Sequence, residues 1–541
     1  MADRAEPHSP FSERAGILLV LAAGLILRVW HLGARSVWTD EGSTWTAATL
    51  PLRELIRFCA EKDASPPLYY LLTSLALRFG DGEAPLRMVS VLASVGLVWL
   101  TYRIARLHAG TREATLAAAL VALSPFQLLY AQEARTYALV ACFAVLALYL
   151  FARAVLFDRR RAWLPLIGAS ALALYTQSIA LLGMGVQGAL AAGTAAGRRR
   201  FGRWTLAQAI AFALYLPWMI VSLGQAGQLA ESHWYLRPPD PHGVFQVLRA
   251  AFLAPIPLVH AGPGAPAPGL DHLLPEPLAQ ALLVMIPLVP LLLALPALRE
   301  RGARGQVARL AFAGVALPLA AVLAVSRVAP LWLPRYFVLL TPMIAVAQTI
   351  GFQRMRPSGL ARAWVAALLL LQTYACVRVD WDYGKERWRE VVATIAAESP
   401  AGRAAVLVPF DVDAFRFYDA KLPHPVAVFE VSHPDVPFDS DYTPRQLAEM
   451  EREARARVAG HDEVWVVARR PNSAIRAEVG AMAERVAAAD RRLVSRTAWE
   501  SIGGPLDVSR YRRATSTRVP PAAPPSSTAP PPVAPAEMGP G

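Results

Sequence analysis

Runs of mainly apolar residues, long enough to cross a bilayer, return repeatedly from Gly16–Trp30 to Ala363–Val379 and then stop. A helix needs roughly 20 such residues to span about 30 Å of hydrocarbon, and inside lipid every backbone polar group must be satisfied within the segment. The pattern therefore predicts an α-helical polytopic membrane protein. Composition agrees: 55% of residues are hydrophobic, 18% are charged and the mean hydropathy is +0.34, against about 25% charged in an ordinary soluble chain. Reading each run as one crossing gives about eleven spans, with cores at 16–30, 86–107, 113–129, 137–157, 163–178, 180–196, 205–223, 277–297, 309–326, 337–353 and 363–379.

The net charge of +13 is carried by arginines that follow the spans. Alternate connections hold them: Arg103/Arg106/Arg112, Arg159–Arg161, Arg198–Arg200 with Arg203, Arg299/Arg301/Arg304, and Arg354/Arg356/Arg362. The positive-inside rule makes these five loops cytoplasmic, with a cytoplasmic N-terminus at 1–15 and an inner (plasma) membrane location. The other loops, and everything after Val379, then lie outside. No compact basic and aromatic surface points to a nucleic-acid partner. Arg4 and Arg14 before the first run suggest a signal sequence, but the run leads straight into a polar cluster and reads as an uncleaved first span.

Two apolar pieces break the alternation if counted as spans. Pro66–Phe79 opens with Pro-Pro, and Val244–His260 contains Pro255 and Pro257. Both read as interfacial or re-entrant helices on the outer side. Beyond the membrane domain (16–380) the period changes. Helices at Glu386–Ala397, Val412–Ala420, Pro444–Gly460 and Ser473–Ala489 alternate with strands at Ala404–Val408, Pro425–Glu430 and Glu463–Ala468, and a strand pair closes at Arg492–Arg512. That spacing predicts an extracytoplasmic α/β domain over 385–513. The Pro/Ala/Ser-rich tail, 515–541, reads as disordered.

The polar residues with chemical potential lie at the outer ends of spans. Asp40 and Glu41 follow the first span, where a carboxylate at the edge of low dielectric is suited to general-base work. A Ser65-Pro66-Pro67-Leu68-Tyr69-Tyr70-Leu71-Leu72 box comes next. Tyr130-Ala131-Gln132-Glu133-Ala134-Arg135-Thr136-Tyr137 places an acid and an arginine in one short outer turn. Pro334-Arg335-Tyr336 adds an arginine on the side where arginine is disfavoured. A guanidinium fork matches a phosphate, yet a salt bridge closing the turn or a headgroup contact explains either arginine alone. His233-Trp234-Tyr235 is a weaker outer-loop signal. Cys59, Cys142 and Cys376 form no CxxC or His/Cys cluster, so no metal site is expected.

Together, the Asp-Glu pair, the S-P-P-L-Y-Y-L-L box, Y-A-Q-E-A-R-T-Y-A-L and P-R-Y-F, in this order across about 16–380, resemble the bacterial glycosyltransferase 39-type enzymes. These have the GT-C fold and are similar to protein O-mannosyltransferases and the aminoarabinose transferase of lipid A. The resemblance implies transfer of a sugar from a polyprenyl-phosphate donor to an acceptor hydroxyl outside the membrane, with no cofactor and no required divalent metal. The acceptor class (lipid, polysaccharide or protein) and the sugar stay open.

By the family pattern Asp40 is the general base, and Glu41 positions it or the acceptor. Arg135 holds the donor phosphate, with Arg335 a second candidate. Glu133, Tyr69, Tyr137 and Tyr336 are expected to line the substrate site. Family members commonly read H-P-P-L-Y-Y, where this chain has Ser65, and often carry a histidine where it has Gln177. The base assignment depends on neither. A transporter or flippase of lipid-linked sugars, or a non-catalytic scaffold, would also be polytopic. The chain shows no internal repeat, and its charges lie at span ends rather than mid-span, which favours the enzyme.

Overall fold

A computed structural model describes residues 10–61, 63, 65–231, 240, 244–245, 249, 274–327, 332–382, 384–399, 403–433, 442–470, 473–500 and 505–513. The expected disordered tail, the His233-Trp234-Tyr235 element and most of Val244–His260 lie outside these residues.

The chain opens with α1 (Pro10–Val29), α2 (Thr39–Thr49), α3 (Leu52–Glu61) and α4 (Leu68–Ala76), the last prolonged by a 3-10 turn to Phe79. Then come α5 (Glu83–Ala105), α6 (Thr111–Ala122), α7 (Pro125–Ala131) and α8 (Tyr137–Phe151). Among the described residues, seven helices are long and apolar enough to cross a membrane: Glu83–Ala105, Tyr137–Leu156, Phe201–Gly224, Pro277–Arg299, Ala303–Val325, Pro334–Phe352 and Ser358–Asp380. An eighth span forms if α6 and α7, bent by 57°, count as one.

Length and composition thus account for seven or eight of the eleven expected crossings. The runs at 163–178 and 180–196 emerge as helices Trp163–Thr176 and Ala180–Gly193, each 14 residues. At 1.5 Å per residue each is about 21 Å long, short of the hydrocarbon thickness.

The bend between α6 and α7 has a local cause. Ser124 caps α7, its hydroxyl accepting from the Gln127 amide, and Pro125 supplies a first-turn residue that needs no amide partner. At the end of α6 Arg28 of α1 donates to Val121 O (3.3 Å) and Ala122 O (3.0 Å), carbonyls that the helix itself no longer fully satisfies, while its Nε reaches Ser94 Oγ. A wholly buried arginine therefore closes the break, and the break aims the α7–α8 turn. Elsewhere Pro290, inside helix Glu276–Ala294, cannot bond to the carbonyl of Ile286, which instead accepts from Trp364 Nε1 at 2.9 Å.

The C-terminal domain is a five-stranded sheet of β1 (Ala404–Pro409), β2 (Ala427–Val431), β3 (Glu463–Arg469), β4 (Arg491–Trp499) and β5 (Leu506–Arg513), in the order β2-β1-β3-β5-β4. β1 runs parallel to β2 and β3, with Leu407 beside Val466, whereas β5 is antiparallel to β3 and β4. β1 is buried along its whole length, as its continuous apolar run requires of a central parallel strand. Helices Trp388–Glu398 and Val412–Asp419 cover one face, and Pro444–Val458 with Ala474–Ala488 cover the other. Each expected strand and helix of this region is present within a few residues of its expected bounds.

Candidate active site

Three segments converge where α2 begins: the α2 first turn, the α7–α8 turn, and the 3-10 turn Pro334–Leu340. Asp40 projects from the first and retains 30% of its side-chain exposure. Arg335 Nη1 lies 3.3 Å from its Oδ2, and Arg135 Nε is 3.9 Å from the same oxygen. Arg135 also donates from Nη1 to the Asp40 carbonyl (3.3 Å), and that nitrogen lies 3.9 Å from Asp63 Oδ2. Both of the 3.9 Å contacts are too long for hydrogen bonds, so they are purely ionic. Arg335 stacks over the Tyr137 ring at 5.4 Å, which fixes its approach.

Glu41 is placed quite differently from its neighbour. It is fully buried and takes two bonds from Arg87 (Nε to Oε1 2.8 Å, Nη2 to Oε2 2.7 Å) and one from the Ala134 amide (2.8 Å). Lys385 Nζ is 3.1 Å away. Burial alone would raise the Glu41 carboxyl, but the Arg87 and Lys385 charges and the donated bonds outweigh it and push it down to about 2. Arg87 spends its remaining donors on the carbonyls of Leu32, Arg35 and Ser36, so one side chain fixes the whole α1–α2 connection.

Of the other expected site residues, Glu133 is buried beside this cluster. Its carboxyl is pushed up by burial and by Glu41 and Asp40, against the pull of Lys385 and Arg335. Tyr137 forms the platform under Arg335, and Tyr336 is the next residue of that turn, half-buried against the membrane core. Tyr69 is wholly buried, its hydroxyl 2.8 Å from Ser90 Oγ, and Ser90 donates on to the Arg135 carbonyl at 3.2 Å. It therefore braces the Arg135 turn from behind. Ser65 donates its amide to Asp63, and Gln177 accepts from Thr136 at the start of α8. Among the described residues no group of three or more His, Cys, Asp or Glu side chains is arranged to hold a metal ion.

Several residues were missed from sequence. Asp63 accepts from Tyr70 (2.8 Å) and faces Arg135. Arg87 carried a readable signal: an arginine near the end of an apolar span is costly and seldom idle. Lys385 carried another, being one of only three lysines in an arginine-rich chain. Glu386 had none, because its role depends on a fold that brings it 347 residues back to Thr39.

Comparison with known proteins fits this geometry. The family described as dolichyl-phosphate-mannose-protein mannosyltransferase matches residues 63–221, which include the S-P-P-L-Y-Y-L-L box, Glu133, Arg135 and Tyr137. The chain superposes on the apo crystal structure of ArnT from Cupriavidus metallidurans with a TM-score of 0.59 at 14% identity, covering 92% of this chain and 98% of that one. The chain has the GT-C fold. The structure of ArnT from the same organism bound to undecaprenyl phosphate gives a TM-score of 0.56 at 14% identity, over 91% and 97% of the two chains. The apo oligosaccharyltransferase of Archaeoglobus fulgidus gives 0.51 at 14% identity, over 94% of this chain and 75% of that one. At these identities the structural likeness establishes the GT-C fold, as the sequence motifs implied. No curated protein sequence matches this chain.

Proposed function

We propose that this protein is a glycosyltransferase that moves a sugar from a polyprenyl-phosphate donor to an acceptor hydroxyl on the extracytoplasmic face, with Asp40 as base and Arg135 and Arg335 as the phosphate clamp. One observation carries the reading: a partly exposed carboxylate faces two guanidinium groups at 3.3 and 3.9 Å, while the neighbouring Glu41 is sealed into a buried ion cluster.

In the transfer step the acceptor hydroxyl gives its proton to an Asp40 oxygen as its own oxygen bonds to the anomeric carbon. The bond from that carbon to the phosphate oxygen breaks, its electron pair stays on the phosphate, and a polyprenyl monophosphate leaves. The phosphate gains one negative charge as this happens. Arginines placed to meet a growing charge stabilise the transition state more than the ground state. Attack from the face opposite the leaving group inverts the anomeric centre.

The proposed side follows from the alternating arginine loops, which put the start of α2, the α7–α8 turn and the Arg335 turn at outward ends of their spans. The same parity makes the N-terminus cytoplasmic and the sheet domain extracytoplasmic in the plasma membrane. The donor class is supported by the matched mannosyltransferase family and by the undecaprenyl phosphate bound in a structure of the same fold. The same family match weighs against a transporter. Asp40→Asn, assayed beside wild type on radiolabelled polyprenyl-phosphate sugars, tests the reading. Donor consumption by wild type that Asp40→Asn lacks is expected; equal consumption by the two overturns it.

A further inference from the structure

The sheet domain is wired into the first turn of α2. Glu386, ahead of helix Trp388–Glu398, is fully buried. Its Oε2 accepts from the Thr39 amide (3.1 Å), the Thr39 hydroxyl (2.8 Å) and Trp388 Nε1 (2.7 Å). Its Oε1 lies 3.1 Å from Nε of Arg469, the last residue of β3. Trp388 belongs to the core of the sheet domain, so both anchors of Glu386 on the far side from Thr39 are parts of that domain.

The start of α2 needs such a partner. The first amides of a helix have no acceptor inside it and are normally met by a Ser, Thr, Asp or Asn cap. Here the capping position is Trp38, in extended conformation, which can offer no such acceptor. A carboxylate from elsewhere in the chain takes the cap's place, and its charge also suits the positive end of the helix.

Asp40 is the next residue after Thr39. Two guanidinium groups draw on its side chain from one side, while Glu386 holds the backbone immediately before it. Three further contacts hold the same stretch against the same domain: Tyr418 Oη accepts from the Val37 amide at 2.6 Å, Ser43 donates to Asp413 at 3.1 Å, and Gly42 packs directly on the Ala414 backbone.

We propose that Glu386 is a positioning residue for glycosyl transfer: through Thr39 it makes the extracytoplasmic sheet domain a working part of the active site, setting where the Asp40 carboxylate stands relative to the acceptor. This rests on the reading of Asp40 as the base. Base geometry is unforgiving, since displacement of a reacting group by about 1 Å can cost a hundredfold in rate. The donor clamp, on the α7–α8 turn and the Pro334–Leu340 turn, does not pass through Glu386.

The test uses the full-length protein in detergent with radiolabelled polyprenyl-phosphate mannose and polyprenyl-phosphate arabinose, comparing wild type, Glu386→Gln, Glu386→Asp, Thr39→Val and Asp40→Asn. In Glu386→Gln, kcat should fall by about tenfold to a hundredfold while donor KM stays within about twofold. Glu386→Asp should recover part of the loss. Thr39→Val should act in the same direction, and the double variant Thr39→Val/Glu386→Gln should be little worse than the poorer single, because both break one contact. Thr39→Val removes a single hydroxyl from outside the sheet domain, so it decides the matter if the Glu386 variants fold poorly.

Amide hydrogen exchange of peptide 39–49 reads the same contact without any donor. Faster exchange there in Glu386→Gln, with β1 and β3 unchanged, is expected, and unchanged exchange overturns the proposal. An inactive Asp40→Asn beside Glu386→Gln and Thr39→Val of wild-type kcat overturns the positioning role alone. An Asp40→Asn that turns over normally removes the base reading beneath it.

Discussion

Arg335 and Asp40 are 295 residues apart in sequence and 3.3 Å apart in space. The pair joins the turn before the tenth apolar run to the helix after the first, and Arg135 completes the group from a third place in the chain. On the proposed reading, a donor phosphate shares or takes these contacts and so frees the carboxylate for the acceptor hydroxyl.

Asp40→Asn should therefore separate binding from chemistry. Turnover should fall by at least about a hundredfold, the usual contribution of a positioned base. Affinity for polyprenyl phosphate should stay level or rise, because the amide no longer competes for two guanidinium groups. A fluorescence titration beside a single-turnover assay reads both quantities. Weakened phosphate binding in this variant would contradict the clamp.

Arg135→Ala should act on the other side of the step. Its two ionic contacts at 3.9 Å, to Asp40 and Asp63, are long enough to be surrendered to a phosphate without loss of a formed hydrogen bond. Donor KM should rise at least about tenfold and kcat should fall with it, since the contact strengthens as charge grows on the leaving oxygen. Arg135→Lys should recover only part, because a single ammonium cannot reproduce the two-pronged contact. Steady-state kinetics over a donor series measure both terms.

The sequence carried much of this arrangement, for physical reasons that particular residues make plain. Apolar runs and strand periods are local, and so the membrane helices and all five strands were visible before the fold was known. Asp40, Arg135 and Arg335 stood out because charges beside lipid are costly wherever they occur. The split between Asp40 and Glu41 was not visible, since two adjacent acids look alike until Arg87 from α5 and Lys385 from beyond the last span close on one of them. The hydrogen bond of the Tyr69 hydroxyl to Ser90 inside the fold was not visible either, because it joins two helices. Helices Trp163–Thr176 and Ala180–Gly193, expected as full spans, are mainly apolar yet only 14 residues each, a length that an apolar run alone does not reveal.

Glu41 should show itself in acid. Its carboxyl ordinarily titrates near 4.5 and in the fold is held down at about 2, so the folded state favours the ionised form. A lowered value contributes stability that is complete above 4.5 and is lost as pH falls through 2. Thermal midpoints in detergent should decline over that window, and Glu41→Gln should flatten this part of the profile. At neutral pH the same substitution leaves Arg87 and Lys385 without their buried counter-charge and should cost about 3–5 kcal/mol. A neutral-pH midpoint equal to wild type would mean that the ion cluster does not hold the α1–α2 connection.

Gly42 offers the sharpest test of how closely α2 is seated on the sheet domain. A Cβ added there would stand 2.4 Å from Ala414 N, 2.7 Å from Asp413 C and 2.8 Å from Ala414 Cα. All three are backbone atoms, so no side-chain rotation makes room and α2 must move away from helix Val412–Asp419. Alanine is otherwise the better helix former, by roughly 0.5–1 kcal/mol in a helix interior, so its effect at Gly42 opposes its intrinsic preference. Gly42→Ala should destabilise the protein by about 1–3 kcal/mol. Turnover should fall more steeply than stability, because the displaced turn carries Asp40. Gly168→Ala is the control: it lies within helix Trp163–Thr176, and an added Cβ meets nothing within 4 Å. That variant should match or exceed wild type in thermal midpoint and leave turnover unchanged. If Gly42→Ala behaves like Gly168→Ala in both measurements, α2 is not locked to the sheet domain, and the base owes its position to the membrane helices alone.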